Sequence, residues 1–152
     1  MATAISGVSG ASTTTVKGWA TADIAATTSA EMSALTSAQV AVMTTAQVVA
    51  INTESIASLS TATVSSLSVS QVYSLITSQI AALGTDQFSK LTTAQLAAMS
   101  TLQVKAIETD DLAAITTAQI TALTTAQMAV LTTAQVVALS TKQVSKMTTA
   151  QL

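Results

Sequence analysis

The chain has 152 residues, 49% of them apolar but only 2% aromatic, and its five Lys, no Arg and seven carboxylates give a formal net charge of −2. No basic face exists to displace counterions from phosphates, so nucleic acid is excluded as a partner, and Thr, Ser or Gln breaks every apolar run too early for a membrane span, which excludes membrane insertion. With no His, Cys or Arg, no Ser-His or Cys-His nucleophile pair, disulfide or usual transition-metal site assembles, so the chain is read as no enzyme, with no catalytic, cofactor-binding or metal-ligating residues.

Residues 1–11 are rich in Gly, Ser and Ala and hold no clear pattern; they are expected to form an irregular N-terminal segment. They lack the basic and apolar regions of a secretory signal. From residue 12 onward an eight-residue unit close to Thr-Thr-Ala-Gln-Val-x-Ala-Leu repeats about eighteen times without a slip of register. We name its positions a to h. Position h runs from Trp19, Thr27, Leu35 and Met43 to Leu139 and Met147, and only Thr27 is not a sizeable apolar residue. Position e, from Val16 and Ile24 to Val144 and Leu152, is apolar throughout. Position b is Thr or Ser except at Val69, and d is Gln in twelve of eighteen octads. Positions c and g are mainly Ala or Ser, and most charge falls on c, f and g, as at Lys17, Glu54, Lys105 and Lys142. Trp19 is either an aromatic plug over the first coil or simply a larger core residue. With one Trp, one Tyr and one Phe in the chain, any core is narrow and built from small pieces.

The e-to-h spacing of three is helical and would put the two residues on opposite faces of a strand. Four Gly, one Asn and no Pro are also too few turn residues for a coil of short strands. One continuous helix fails as well. Eight residues advance the helix by about 800°, so its apolar stripe drifts by about 80° per repeat and no single partner covers it. What remains is all-α: a solenoid of short capped helices, one per octad, over residues 12–152. A helix this short is not stable alone, so stacking must hold it. The hydroxyl at b is favoured as N-cap, with acidic or amide residues at c and d near the positive helix end, as in Thr85-Asp86-Gln87-Phe88. The rival places the cap at a, with Gln d at N3 in a capping box; it explains the Gln better, and Ala20, Ile76 and Gly84 worse.

Glu108, Asp110 and Asp111 form the chain's one carboxylate cluster. A weak Ca²⁺ site is conceivable there, but acids favoured by a helix N-terminus are the preferred reading. Six Met at mainly e and h positions read as core filler. The chain stops at Leu152 in mid-octad, so a piece of a longer array is expected.

The segment from Met43 to Ile51 looks like the opening helix of TAL effector repeats, but neither their length of over thirty residues nor their base-reading loop is present. The octads as a set, for example Leu123-Thr124-Thr125-Ala126-Gln127-Met128-Ala129-Val130-Leu131, resemble tandem Leu-Thr-Thr-Ala-Gln arrays of large bacterial surface or secreted proteins. That resemblance implies an extracellular or cell-surface spacer or a fibre-forming segment. The expected function is therefore structural: a rigid spacer or filament-forming solenoid, with self as partner through end-to-end contact of e and h residues such as Val144, Met147 and Leu152. The alternative is a binding module that offers rows of Thr and Gln to ice or a polymer surface. It requires the b hydroxyls to face water in a flat lattice.

Overall fold

The computed structural model describes Ile5 and residues 7–152. Among them are seventeen helices of four to six residues, α1 (Thr13–Lys17) to α17 (Thr141–Val144), preceded by one 3₁₀ turn (Val8–Gly10), and no strand. One helix per octad follows from two opposed backbone preferences. Residue a is extended, as at Thr44 (φ −71°, ψ 159°). Five or six helical residues follow, and the chain is released again by h, as at Leu83 (φ −69°, ψ 139°). The turns are closed by the e N–H donating to the a carbonyl (Val48 to Thr44, 3.0 Å) and, except at Ile115, by the h N–H donating to the e carbonyl (Ile51 to Val48, 3.2 Å).

The cap lies at a, not at b. Thr44 Oγ1 accepts from the Gln47 N–H at 3.2 Å, and Gln47 Oε1 accepts from the Thr44 N–H at 2.8 Å. The same reciprocal box forms at Thr36, Ser68, Thr92, Ser100, Thr116, Thr124, Thr132 and Ser140. The favoured assignment of the cap to b is thus overturned. The reason is geometric: only a cap at a puts the Gln at N3, where its side chain returns to the cap N–H. The positions that argued against this assignment carry no side-chain cap at all. At Ile76 and Gly84 the Gln supplies half a box, accepting the backbone N–H at 3.0 Å.

The e residues from Val16 to Ile120 are essentially inaccessible, and the h residues from Leu35 to Leu123 nearly so. Together they form one continuous core along the array. Thr27, the polar h residue, is buried too, and its hydroxyl donates to the Asp23 carbonyl at 3.0 Å. Trp19 is partly buried against the same core, at an ordinary h position.

Each helix packs against the helix three octads away: α5 (Thr45–Val49) on α8 (Val69–Ser74), α7 (Thr61–Ser65) on α10 (Thr85–Lys90), α10 on α13 (Thr109–Ala114), and α13 on α16 (Thr133–Ala138). The N-terminus of each helix meets the C-terminus of the helix four octads earlier through hydrogen bonds spanning 28 and 31 residues. One turn of the solenoid therefore takes between three and four octads. Of the segment expected to be irregular, residues 1–4 and 6 lie outside the described residues. The rest keeps the register, since Val8 and Ala11 occupy e and h and their carbonyls receive the Gln39 amide at 2.9 and 2.7 Å.

Candidate functional site

The feature that organises the chain is a ladder of buried glutamines. All twelve d glutamines make the same bonds. Gln95 shows the pattern: Oε1 accepts from the Thr92 N–H at 2.7 Å, while Nε2 donates to the carbonyls of Val64 at 3.1 Å and Leu67 at 2.7 Å. Those carbonyls sit at the end of an earlier helix, where the Val64 carbonyl already accepts from the Leu67 N–H at 3.2 Å and the Leu67 carbonyl lies beyond the last helical bond. One amide thus satisfies an orphan N–H of its own helix and, one coil away, an orphan h carbonyl together with the free lone pair of an e carbonyl. Eleven of these Gln are buried, and Gln151 is half-buried. Among the described residues no side-chain nitrogen or oxygen wholly shut off from solvent is left without a partner.

Where d is not Gln, the sequence compensates or the ladder stops. At Ser55 the amide moves to the cap: Asn52 Oδ1 accepts from the Ser55 N–H at 2.8 Å, Asn52 Nδ2 donates to the Thr27 carbonyl at 3.0 Å, and Ser55 Oγ donates to the same carbonyl at 2.9 Å. Thr63 reaches the Leu35 carbonyl with its hydroxyl at 3.3 Å, and Ser66 adds a bond to the Ser37 carbonyl at 3.2 Å. The first three octads carry Thr15, Asp23 and Glu31 at d, with no amide. Glu31 instead takes the Thr28 N–H and hydroxyl, at 2.9 and 2.7 Å, and these bonds hold its carboxyl below the usual range.

Asp111 is the exception within the array. It is 4% exposed, and burial, followed by the charges of Glu108 and Asp110, pushes its carboxyl up to about 6. Its cap residue, Glu108, makes no side-chain cap bond. Among the described residues no three His, Cys, Asp or Glu side chains are placed to hold a metal ion, so the cluster does not converge on a Ca²⁺ geometry. Among the described residues no helix is long and apolar enough to cross a membrane.

The outer surface carries the b hydroxyls. Thr45, Thr93, Thr117, Thr125 and Thr133 are exposed at the first helical position and cap nothing, whereas the Gln row expected beside them faces inward. A surface hollow bordered by Thr77, Ser78, Lys105, Glu108 and Thr132 joins one cation and one carboxylate to hydroxyls. A second, beside exposed Val69 and Tyr73, is mostly apolar.

Sequence reasoning placed the e and h core correctly and missed the ladder. The available signal was an amide, at once donor and acceptor, recurring beside the buried e residue after three octads that carry acceptors there.

No curated protein and no solved structure matches the chain. The ALTTAQ repeat, by contrast, matches residues 48–85, 74–101 and 104–141, together more than half of the chain. Its six letters are positions g, h, a, b, c and d, as in Ala122-Leu123-Thr124-Thr125-Ala126-Gln127. They contain both partners of the capping box, the ladder amide and the h core residue, and on that match the chain belongs to the ALTTAQ repeat family.

Proposed function

We propose that this chain is a structural module and not a catalyst: a rigid spacer within a larger extracellular or cell-surface protein. One observation carries the reading. The glutamine amides from Gln39 to Gln151 face inward and hold successive coils together, so the polar groups recurring in every octad serve the array's own continuity. Such a ladder lengthens by whole octads without altering what already exists, which suits an element whose purpose is distance. The resemblance to tandem arrays of bacterial surface and secreted proteins supports the compartment.

The filament-forming reading is narrower. It would require the e and h residues of an end coil, such as Val136, Val144 and Leu152 beside Leu131, Leu139 and Met147, to meet a second copy. A second copy seated there would bring Thr15, Asp23 and Glu31 over the carbonyls that an amide would otherwise take. The contact would be apolar, without rungs, so the spacer reading stands first. The surface-binding reading retains its exposed Thr row, but successive octads point to different sides of the coil and a flat lattice needs them on one.

Small-angle scattering of this chain and of a version lengthened by eight octads tests the spacer. The maximum dimension is expected to rise in proportion to octad number and to be independent of concentration. Compact scaling with chain length would overturn the rod, and growth with concentration would favour the filament.

A further inference from the structure

From Gln39 onward every d residue except one has a hydrogen to give to the coil before it: the Gln amides, and the hydroxyls of Ser55 and Thr63. The exception is Asp111. The register shared by all the Gln rungs, e carbonyl 31 residues back and h carbonyl 28 back, aligns position 111 with the carbonyls of Ile80 and Leu83, the ones a Gln there would reach. Neither receives a side-chain donor, although the rungs on either side, Gln103 to Leu75 and Gln119 to Leu91, are closed at 2.7 Å each. An ionised carboxylate has only lone pairs to turn toward two carbonyl oxygens, and that arrangement repels. A protonated carboxyl has one O–H to donate.

The surrounding charges favour the neutral form. On its own helix and cap, Asp111 has Glu108 and Asp110. α10, packed against α13, carries Asp86 and Lys90, α17, whose Gln143 bonds the Leu112 and Ile115 carbonyls, carries Lys142, and Lys105 borders the same hollow as Glu108 and Thr109, while α16 and the helix beneath (Thr77–Ala82) carry no charged side chain. Its octad has no capping box to hold the helix start in place of the missing rung.

We propose that Asp111 is a protonation-dependent rung: neutral, it donates to the Ile80 or Leu83 carbonyl and closes the ladder as Gln does elsewhere; ionised, it leaves octad 108–115 as the point where the array opens. The proton comes from solvent and returns there. The carboxyl's position at about 6, raised from an ordinary value of 3.8, sets the window. A raised folded-state value means that protonation stabilises the fold; the stabilisation is complete below 3.8 and is lost as pH rises through about 6. Acidification from neutrality therefore tightens this octad.

Amide hydrogen exchange of residues 109–115, corrected for the intrinsic pH dependence of exchange, tests this. In the native sequence the opening equilibrium is expected to rise roughly tenfold between pH 4.5 and 7.5, while octad 92–99 stays flat. Asp111→Gln and Asp111→Asn are expected to abolish the rise, with Asp111→Gln closed at both pH values. A flat profile in the native chain, or an equal rise in both variants, would overturn the proposal; the second result would assign the titration to Glu108, Asp110 or Asp86.

Discussion

Octads 92–99 and 108–115 share an apolar frame and differ in nearly every polar group. In both, the e residue is wholly buried and the h residue nearly so: Leu96 and Met99 in one, Leu112 and Ile115 in the other. In the first, Thr92 and Gln95 close a box and Gln95 reaches the carbonyls of Val64, Ser65 and Leu67. In the second, Glu108 and Asp111 make neither box nor rung. Both nonetheless have six helical residues after an extended cap, packed on helices three octads away, although Met99 N–H closes on the Leu96 carbonyl and Ile115 N–H makes no such bond. The e and h pair is therefore sufficient to place a helix. The ladder decides how firmly that helix is fastened to the next coil.

The largest effect is expected from giving the first octad the chemistry of the second. Gln95→Glu at pH 7 turns a carboxylate toward the Val64 and Leu67 carbonyls and removes both donor hydrogens; a loss of about 3 kcal/mol in urea unfolding is expected from these unsatisfied buried groups. A loss under about 1 kcal/mol would mean that rungs are dispensable everywhere. The reverse exchange is smaller. Glu108→Thr with Asp111→Gln restores box and rung together, and unfolding at pH 7 is expected to shift toward stability by about 2 kcal/mol. No gain would show that the octad is held by its apolar pair alone. The smallest effect separates the two threonines of one octad. Thr132→Ala removes the acceptor of the Gln135 N–H and is expected to cost about 1 kcal/mol, while Thr133→Ala removes an exposed hydroxyl and is expected to change stability by less than about 0.5 kcal/mol. Urea midpoints ranked the other way would return the cap to b.

The parts legible in the sequence are those that depend on neighbours within an octad. Spacing of three between e and h, such as Val48 and Ile51, fixes a helical face, and drift of that face forces the helix to break. The solenoid follows from those two facts. The cap was misread by one residue because b is the more uniform hydroxyl, while a admits Ala20, Ile76, Gly84 and Glu108. Uniformity at b proved not to report hydrogen bonding: its exposed Thr residues cap nothing, and the packing offers no reason for them. The ladder was hidden for a different reason. A Gln at N3 suffices to explain its Oε1, so nothing local demands a partner for Nε2, and the partner lies 28 to 31 residues away at a distance set by the coil. Asn52 with Ser55 was the available clue, since an amide displaced from d to a implies that some carbonyl still needs it.

The reach of each rung has a consequence for how the chain acquires its structure during synthesis. Gln39, the first rung, bonds to Val8 and Ala11, so no amide can be placed until the fourth octad has emerged. After that, every further eight residues bring one new helix and, at most positions, one amide directed at carbonyls already fixed in place. The chain is then wound like a screw being driven, each increment seated by the thread laid down just before it, with no partner awaited from the far end. Contacts at one short, constant separation favour fast growth from any completed turn. At Asp111, when its carboxyl is ionised, an increment is seated by its apolar pair with no side-chain donor to draw it down.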